Sequence, residues 1–137
     1  MLNQHSLKSS RGQSLAEFAL VLPVILVLVL GAIDFGRVYF AYVSVTNAAR
    51  NGAHYASGSP VAAEDAGGIR EAVLEETSDL LDTSPTNPSV AVATGTDGQG
   101  GLYADVTVSY AFSPIFPWPG LPDSVELDRT VRARVDQ

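Results

Sequence analysis

A charge-free apolar stretch near the N-terminus constrains this chain more than any other feature. Residues 18–33 read FALVLPVILVLVLGAI and contain no charged side chain. A helix that crosses the hydrocarbon core needs roughly 20 apolar residues, with about 17 as the lower limit. Leu15 and Ala16 extend the stretch on one side, and on the other the apolar text resumes at Val38 with aromatic residues typical of membrane interfaces. The pattern predicts a membrane-spanning helix.

Charged residues on either side of this stretch predict its orientation. Lys8 and Arg11 precede it, and no acidic residue comes before Glu17. Because basic flanks stay on the cytoplasmic side, we expect a single-pass protein of the cytoplasmic membrane with its C-terminal domain outside. Asp34 and Arg37 are three residues apart on the predicted helix, so they are expected to pair where it leaves the membrane.

The apolar stretch has three ordinary interpretations. A cleaved secretory signal peptide fits the basic start, but a carboxylate at the entrance of the stretch and the lack of a small-x-small cleavage site before Asp34 argue against it. An uncleaved single-span anchor fits the hydropathy well. A buried core helix fits poorly, because the remaining segments are too short to surround it.

A membrane anchor alone does not explain the carboxylate of Glu17. A carboxylate at the edge of the hydrocarbon costs on the order of a few kcal/mol when it is unpaired. Cleavage after Gly12 would make Gln13 the new N-terminus and place its ammonium four residues before Glu17. A short basic leader, a glycine and a glutamate at the fifth mature residue form the pattern of class III signal peptides. The sequence therefore predicts a leader over residues 1–12.

The block GQSLAEFALVLPVILVLVLGAIDFGRVYFAYVSVTNAARNGAHYAS resembles the TadE-like family of type IV pilin-related proteins, found in bacterial Tad/Flp pilus machines. The matching elements are the Gly12 to Glu17 site, the EFALVLP entry, Gly31, the DFGR exit and the AAR helix end. The resemblance implies cleavage after Gly12 by a membrane prepilin peptidase. It also implies a minor pilin or pseudopilin that oligomerises with other pilin or pseudopilin subunits and Tad inner-membrane assembly proteins. A cell-surface pilus is a second location that the resemblance implies.

The sequence from residue 13 to residue 57 is compatible with one continuous helix apart from Pro23, which predicts a kink near Ala19. At about 1.5 Å per residue such a helix is roughly 68 Å long, about twice the membrane thickness. Its outer half carries small residues at four-residue spacing, which allow another element to approach closely. These residues are Ala48, Gly52 and Ala56, with Ala49 and Ala53 beside them. The partner is either the protein's own sheet or another subunit.

Residues 58–137 predict an extracytoplasmic α+β domain. Glu64 and Asp65 are expected to open a second helix that runs to about Asp82, with an acidic exposed face. Its apolar positions repeat at three and four residues and predict one buried face. They are Ala62, Ala66, Ile69, Val73, Thr77 and Leu80.

From Ser89 the period becomes two, and a small three-stranded antiparallel sheet is predicted. The first strand contains Val90, Val92 and Thr94; the second contains Tyr103, Val106, Val108 and Tyr110; the third contains Val125, Leu127, Arg129, Val131, Ala133 and Val135. The segment GTDGQGG is expected to form a long flexible hairpin tip, and SPIFPWPGLPD is excluded from a central strand by its prolines. The predicted fold is therefore a long membrane helix followed by a second helix and this sheet, as in pilins.

Composition excludes several functions. The formal net charge is −7, and no basic run exists for binding nucleic acid. No cysteine, nucleophile elbow or metal-protease motif is present, so we expect no enzyme, no cofactor and no metal site. Calcium at Asp97 with Asp79 and Asp82 is a weaker alternative to a turn role for Asp97. Trp118 is expected to serve as a lid on the sheet or as an exposed contact.

Two functions of different classes remain. The first is an assembly subunit that is cleaved after Gly12 and enters or primes a surface filament. The second is an uncleaved membrane-anchored protein whose outer domain binds a ligand or an adhesive target.

Overall fold

The computed structural model describes residues 7–80 and 88–135. Within these residues, helix α1 spans Leu7–Ser57, α2 spans Pro60–Glu64 and α3 spans Ala66–Thr77. The strands are β1 (Ser89–Thr96), β2 (Leu102–Phe112) and β3 (Val125–Arg134). A long apolar N-terminal helix, short helices and a three-stranded antiparallel sheet confirm the predicted α+β class.

Packing divides the chain into two compact units, Met1–Gly36 and Arg37–Gln137. The first consists of the N-terminal part of α1 in its described residues, and the second holds the rest of α1 with the short helices and the sheet. The division by function into a leader, a long helix and an outer domain starting at residue 58 stays a prediction.

Helix α1 continues through Pro23 and ends at Ser57, where the sequence places its end. The end is closed by a turn in which the Gly58 amide donates to the Tyr55 carbonyl over 3.3 Å. The Ser57 hydroxyl donates to the His54 carbonyl over 2.7 Å. Both bonds satisfy carbonyls of the last helical turn, which receive no hydrogen bond from an N–H group further along the helix. A kink at Pro23 stays a prediction.

The single second helix predicted from Glu64 to about Asp82 is wrong in its bounds. The structure has two helices here, since Asp65 ends α2 and accepts from the Gly68 amide over 3.0 Å to cap α3. Ser59 caps α2 by accepting from the Ala62 amide over 3.1 Å. Helix α3 ends at Thr77, whose hydroxyl donates back to the Val73 carbonyl. The predicted end at Asp82 lies outside the described residues.

This division also changes the buried face of the segment. Ile69, Val73, Thr77 and Leu80 are buried as predicted. Ala66 is exposed, and Ala63 is buried in place of Ala62, because the break at Asp65 rotates the first helix relative to the predicted single register.

The sheet has the order β1-β2-β3 with antiparallel pairing throughout. Val92 pairs with Val106 across the first ladder, and Val106 pairs with Val131 across the second. The hairpin tip is tight: Asp97 N donates to Gly101 O over 2.8 Å, and Gly100 has a φ of +83°. A positive φ of this kind favours glycine, which accounts for the glycine-rich text.

One face of β2 forms the centre of the core. Its buried side chains are Ala104, Val106, Val108, Tyr110 and Phe112. Tyr103 lies in β2 as predicted, on the face opposite Val106 and Val108, where the Arg132 guanidinium sits 4.1 Å from its ring centroid. The reason is the period of two, which separates residue 103 from even-numbered neighbours. The second half of α1 and helix α3 complete this core.

Candidate membrane and assembly helix

The predicted processing site lies in the first part of α1. Gln13 Nε2 donates to Glu17 Oε1 over 3.2 Å, and both side chains are exposed. Residues four apart on a helix lie one above the other, so positions 13 and 17 share one side of α1. A Cβ built on Gly12 would meet no described atom within 4 Å outside its own stretch of helix, so packing within the chain places no demand on a glycine there.

The apolar stretch of α1 exposes large side chains along its length. Leu20 is 77% exposed, Leu28 is 67% exposed and Phe18 is 60% exposed. Among the residues that the structure describes, one helix, over Gly12–Ser57, is long and apolar enough to cross a membrane by length and composition. Contiguous exposed apolar surface of this kind marks contact with lipid or with another protein.

Asp34 and Arg37 lie where the apolar stretch ends. Asp34 is only 6% exposed. Arg37 reaches the end of β2: its Nη1 donates to the Ser113 carbonyl over 3.4 Å, and its guanidinium carbon lies 5.0 Å from the centroid of the Phe112 ring. Direct pairing of Asp34 with Arg37 stays a prediction. Sequence reasoning missed the contact of Arg37 with β2, because nothing in local spacing connects residues 76 positions apart.

The small-residue face of α1 is covered by the chain itself. Ala48 and Ala56 are fully buried, and Gly52 is buried. A Cβ built on Gly52 would lie 2.8 Å from Val73 Cγ2 and 3.1 Å from Val106 Cγ1. These distances are too short for a side chain, so the glycine lets α3 and β2 approach the helix backbone. Of the two partners that the spacing allowed, the protein's own sheet and third helix occupy this face.

Polar contacts hold the short helices against the end of α1. Tyr55 Oη donates to Asp65 Oδ2 over 2.9 Å, and Asn51 Nδ2 donates to Glu76 Oε2 over 3.0 Å. The Gly68 amide, followed by the Tyr55 hydroxyl, lowers the pKa of Asp65 below its ordinary value, because both bonds favour the ionised carboxylate. A Cβ on Gly68 would clash with the Tyr55 hydroxyl, so this glycine gives room for the bond.

The hairpin tip shows Asp97 as a turn residue. Its Oδ1 accepts from the Gly101 amide over 2.7 Å and from the Gln99 amide over 3.0 Å, and these two bonds lower its pKa. Within the described part of the chain, no group of three or more His, Cys, Asp or Glu side chains is placed to hold a metal ion. The alternative calcium site includes Asp82, which lies outside that part.

Trp118 is half-buried in the connection between β2 and β3. Its ring meets Phe116 edge to face, with centroids 5.1 Å apart. This arrangement is one that aromatic pairs prefer. Its role as a lid on the sheet stays a prediction.

These features define a class: an α+β protein with an apolar N-terminal helix fit to anchor it in a membrane and a small three-stranded antiparallel sheet. Within that class, residues 12–54 match the model of the TadE-like protein family, which confirms the resemblance drawn from the sequence motifs. No curated protein and no solved structure matches the chain. The family is a pilus-related structural family, so over residues 12–54 the chain is similar to Tad pilus-related proteins.

Proposed function

We propose that this protein is a minor pilin or pseudopilin of a Tad/Flp type apparatus, cleaved after Gly12 by a prepilin peptidase. In the resulting protein Gln13 carries the N-terminal ammonium, and Glu17 is its counter-charge during assembly. The N-terminus faces the cytoplasm, and the sheet domain lies outside the cytoplasmic membrane. The family match over residues 12–54 supports the general assignment.

The hydrogen bond between Gln13 and Glu17 is the structural observation that supports the proposal. It places the side-chain amide of Gln13 within 3.2 Å of the Glu17 carboxylate, so the residue that would carry the new ammonium shares one exposed side of the helix with Glu17. Glu17 precedes an exposed apolar stretch, and an unpaired carboxylate at that depth costs on the order of a few kcal/mol. An ammonium at position 13 removes this cost, either within one helix or between neighbouring subunits.

Gly12 supports processing in a second way. Its surroundings are open, so the fold of the described chain gives no reason for a glycine at this position. Cleavage supplies a reason, because the peptidase must fit a residue without a side chain beside the scissile bond.

Cleavage is tested in cells that carry a Tad apparatus, by N-terminal sequencing and intact mass of the membrane form. Parent protein is expected to begin at Gln13, and Gly12→Leu is expected to keep the whole leader. Gly36→Leu is the matched control, because Gly36 also has open surroundings on α1 and lies far along the helix from the cut. Mature-sized Gly12→Leu protein would contradict processing at this bond, and a parent chain that keeps residues 1–12 would favour the uncleaved anchored binding or adhesion protein.

Assembly is tested by crosslinking between subunits in the same membranes. Glu17→Ala is expected to be inserted and cut, yet to lose crosslinks, because assembly would bury the ion pair between subunits, and removing one member of a buried pair costs about 3 to 5 kcal/mol. Glu17→Asp is expected to keep part of the crosslinking, since the charge survives on a shorter stem. Gln13→Ala is the informative control: it removes the side-chain amide but keeps the ammonium, so crosslinking is expected to persist. Parent-like crosslinking by Glu17→Ala would refute the pairing.

Orientation is tested with protease added outside spheroplasts. Residues 64–137 are expected to be digested or released, because Lys8 and Arg11 hold the other end inside. Protection of this domain in intact spheroplasts, with digestion after lysis, would reverse the topology.

A further inference from the structure

The connection between β2 and β3 presents an apolar surface, and we call residues 113–124 the aromatic loop. Ile115 is 62% exposed and Leu121 is 64% exposed. Trp118 and Phe116 pack edge to face between them. The sequence of the loop, SPIFPWPGLPDS, contains no basic residue and one acidic residue. Its surface is therefore apolar and aromatic, with almost no charge for attracting an ionic partner.

The tip of the aromatic loop has a defined backbone turn. Leu121 N donates to Trp118 O over 3.1 Å, and Gly120 has a φ of +88°. Proline at the second position and a positive φ at the third are the features of a type II turn. Because the turn restricts the backbone, the fold itself keeps the apolar side chains of the loop exposed.

The aromatic loop begins at the end of the domain from which α1 continues into its apolar stretch. Ser113, its first residue, accepts from Arg37, and the Arg37 guanidinium lies over Phe112. Arg37 follows the last residue of the charge-free stretch by only four positions. Within one turn of Arg37, helix α1 exposes Tyr39 (64%) and Phe40 (51%). Two separate segments thus place exposed aromatic side chains at this one end of the domain.

We propose that the aromatic loop inserts into the headgroup region of the membrane that α1 spans, as a second and non-covalent anchor for the outer domain. Tryptophan and tyrosine favour this region because one part of each ring system is apolar and another is polar. The interfacial layer is about 5 to 7 Å deep on each side of the hydrocarbon core. Ile115 lies two residues beyond Ser113, a reach of about 7 Å in an extended chain, so the loop needs no rearrangement of the sheet. The proposal rests on insertion of α1, which is part of the proposed function.

The chain contains one tryptophan, so its fluorescence reports on the aromatic loop alone. The full chain is reconstituted in phosphatidylcholine vesicles, with ordinary acyl chains or with acyl chains brominated near the headgroup. Bromine quenches tryptophan only at short range. We expect emission about twofold lower in the brominated vesicles, and protection from aqueous iodide, because Trp118 sits in the interface. Both effects are expected to persist in high salt, because the loop carries almost no charge.

A relocated probe is the matched control. Trp118→Phe combined with Val61→Trp moves the fluorophore to α2, where Val61 is 80% exposed. Val61 follows Ser57, and Ser57 lies about 30 Å along α1 from Arg37 at about 1.5 Å per residue. This variant is expected to be quenched by iodide and insensitive to bromine. Ile115→Ser with Leu121→Ser is expected to reduce the bromine effect on Trp118 while leaving the fold intact, since both side chains are exposed.

Resistance of the chain to alkaline extraction from the same vesicles reports insertion of α1 separately. Inserted chain whose Trp118 is reached by iodide and ignored by bromine overturns the loop proposal and leaves the proposed function standing. Protection from iodide without bromine quenching also overturns it, because a protein surface then covers the loop. Chain that is extracted at alkaline pH overturns both.

Discussion

The two halves of helix α1 are both rich in apolar residues, yet they meet opposite surroundings. Over residues 18–33 the side chains are mostly long or branched and most are exposed, and a Cβ added to nearby Gly36 would meet nothing described within 4 Å. Over residues 41–56 the inward residues are mainly alanine and glycine, and a Cβ added to Gly52 would clash with Val73. Side-chain size, more than hydropathy, therefore separates the half that contacts its own chain from the half left for lipid. Small residues let a sheet approach the helix backbone closely. Large aliphatic residues cover the backbone and present an apolar surface to apolar surroundings.

A large-to-small substitution in the core of the second unit is expected to give the largest effect and tests this comparison most strongly. Ile69 is fully buried in α3, so Ile69→Ala is expected to lower the free energy of unfolding of the second unit by about 2 to 5 kcal/mol. Denaturant unfolding in detergent micelles, followed by circular dichroism of the sheet, measures the change. Membrane insertion of the first half of α1 is expected to stay normal.

Val61→Ala is the control for this variant. Val61 is 80% exposed in α2, so its truncation is expected to change the unfolding free energy by less than about 0.5 kcal/mol. Equal effects of the two truncations would mean that the second unit is not held together by the core described above.

A valine at each glycine tests the contrast within α1 directly. Gly52→Val adds a side chain that must displace Val73 or Val106, and overpacking of this kind typically costs about 1 to 3 kcal/mol. Gly36→Val, with open space around it, is expected to leave the unfolding of the second unit unchanged. Protease resistance of the domain over a denaturant series measures both. A Gly52→Val protein as stable as the parent would show that α1 and the sheet can separate at no cost.

Acidification tests the polar side of the second unit and gives the smallest effect. Arg132 donates to both carboxylate oxygens of Asp105 over 2.7 Å, and these bonds lower the pKa of Asp105 below its ordinary value of 3.8. A lowered folded-state pKa contributes stability above the ordinary value, and this contribution is lost as the pH falls through the folded-state value. The midpoint of thermal unfolding is therefore expected to fall as the pH drops below about 4, with the sheet losing stability before α1 leaves the membrane.

Asp105→Asn is expected to flatten this part of the pH profile, because the titrating group is gone. Arg132→Gln is expected to do the same, since it removes the cation that favours the ionised carboxylate. The prediction fails when both variants follow the acid transition of the parent with the same slope.

The sequence was sufficient where the signal is local or periodic. The apolar stretch, the end of α1 at Ser57, the alternation of Val106 and Val108 and the turn around Asp97 each depend on residues close together in the chain. The family match likewise falls on the contiguous segment 12–54. The error of detail, one helix in place of α2 and α3, came from continuing a period across a capping aspartate.

The tertiary structure alone decided which surfaces meet. Alanine and glycine at four-residue spacing specify close approach without naming a partner, and only the positions of Val73 and Val106 over Gly52 assign that face to the protein's own core. The contact of Arg37 with Ser113 joins residues 76 apart, and no spacing rule reaches that far. Local propensity and periodicity act within a few turns of chain, whereas the choice of partner depends on the free energy of burying whole faces together, which only the folded arrangement specifies.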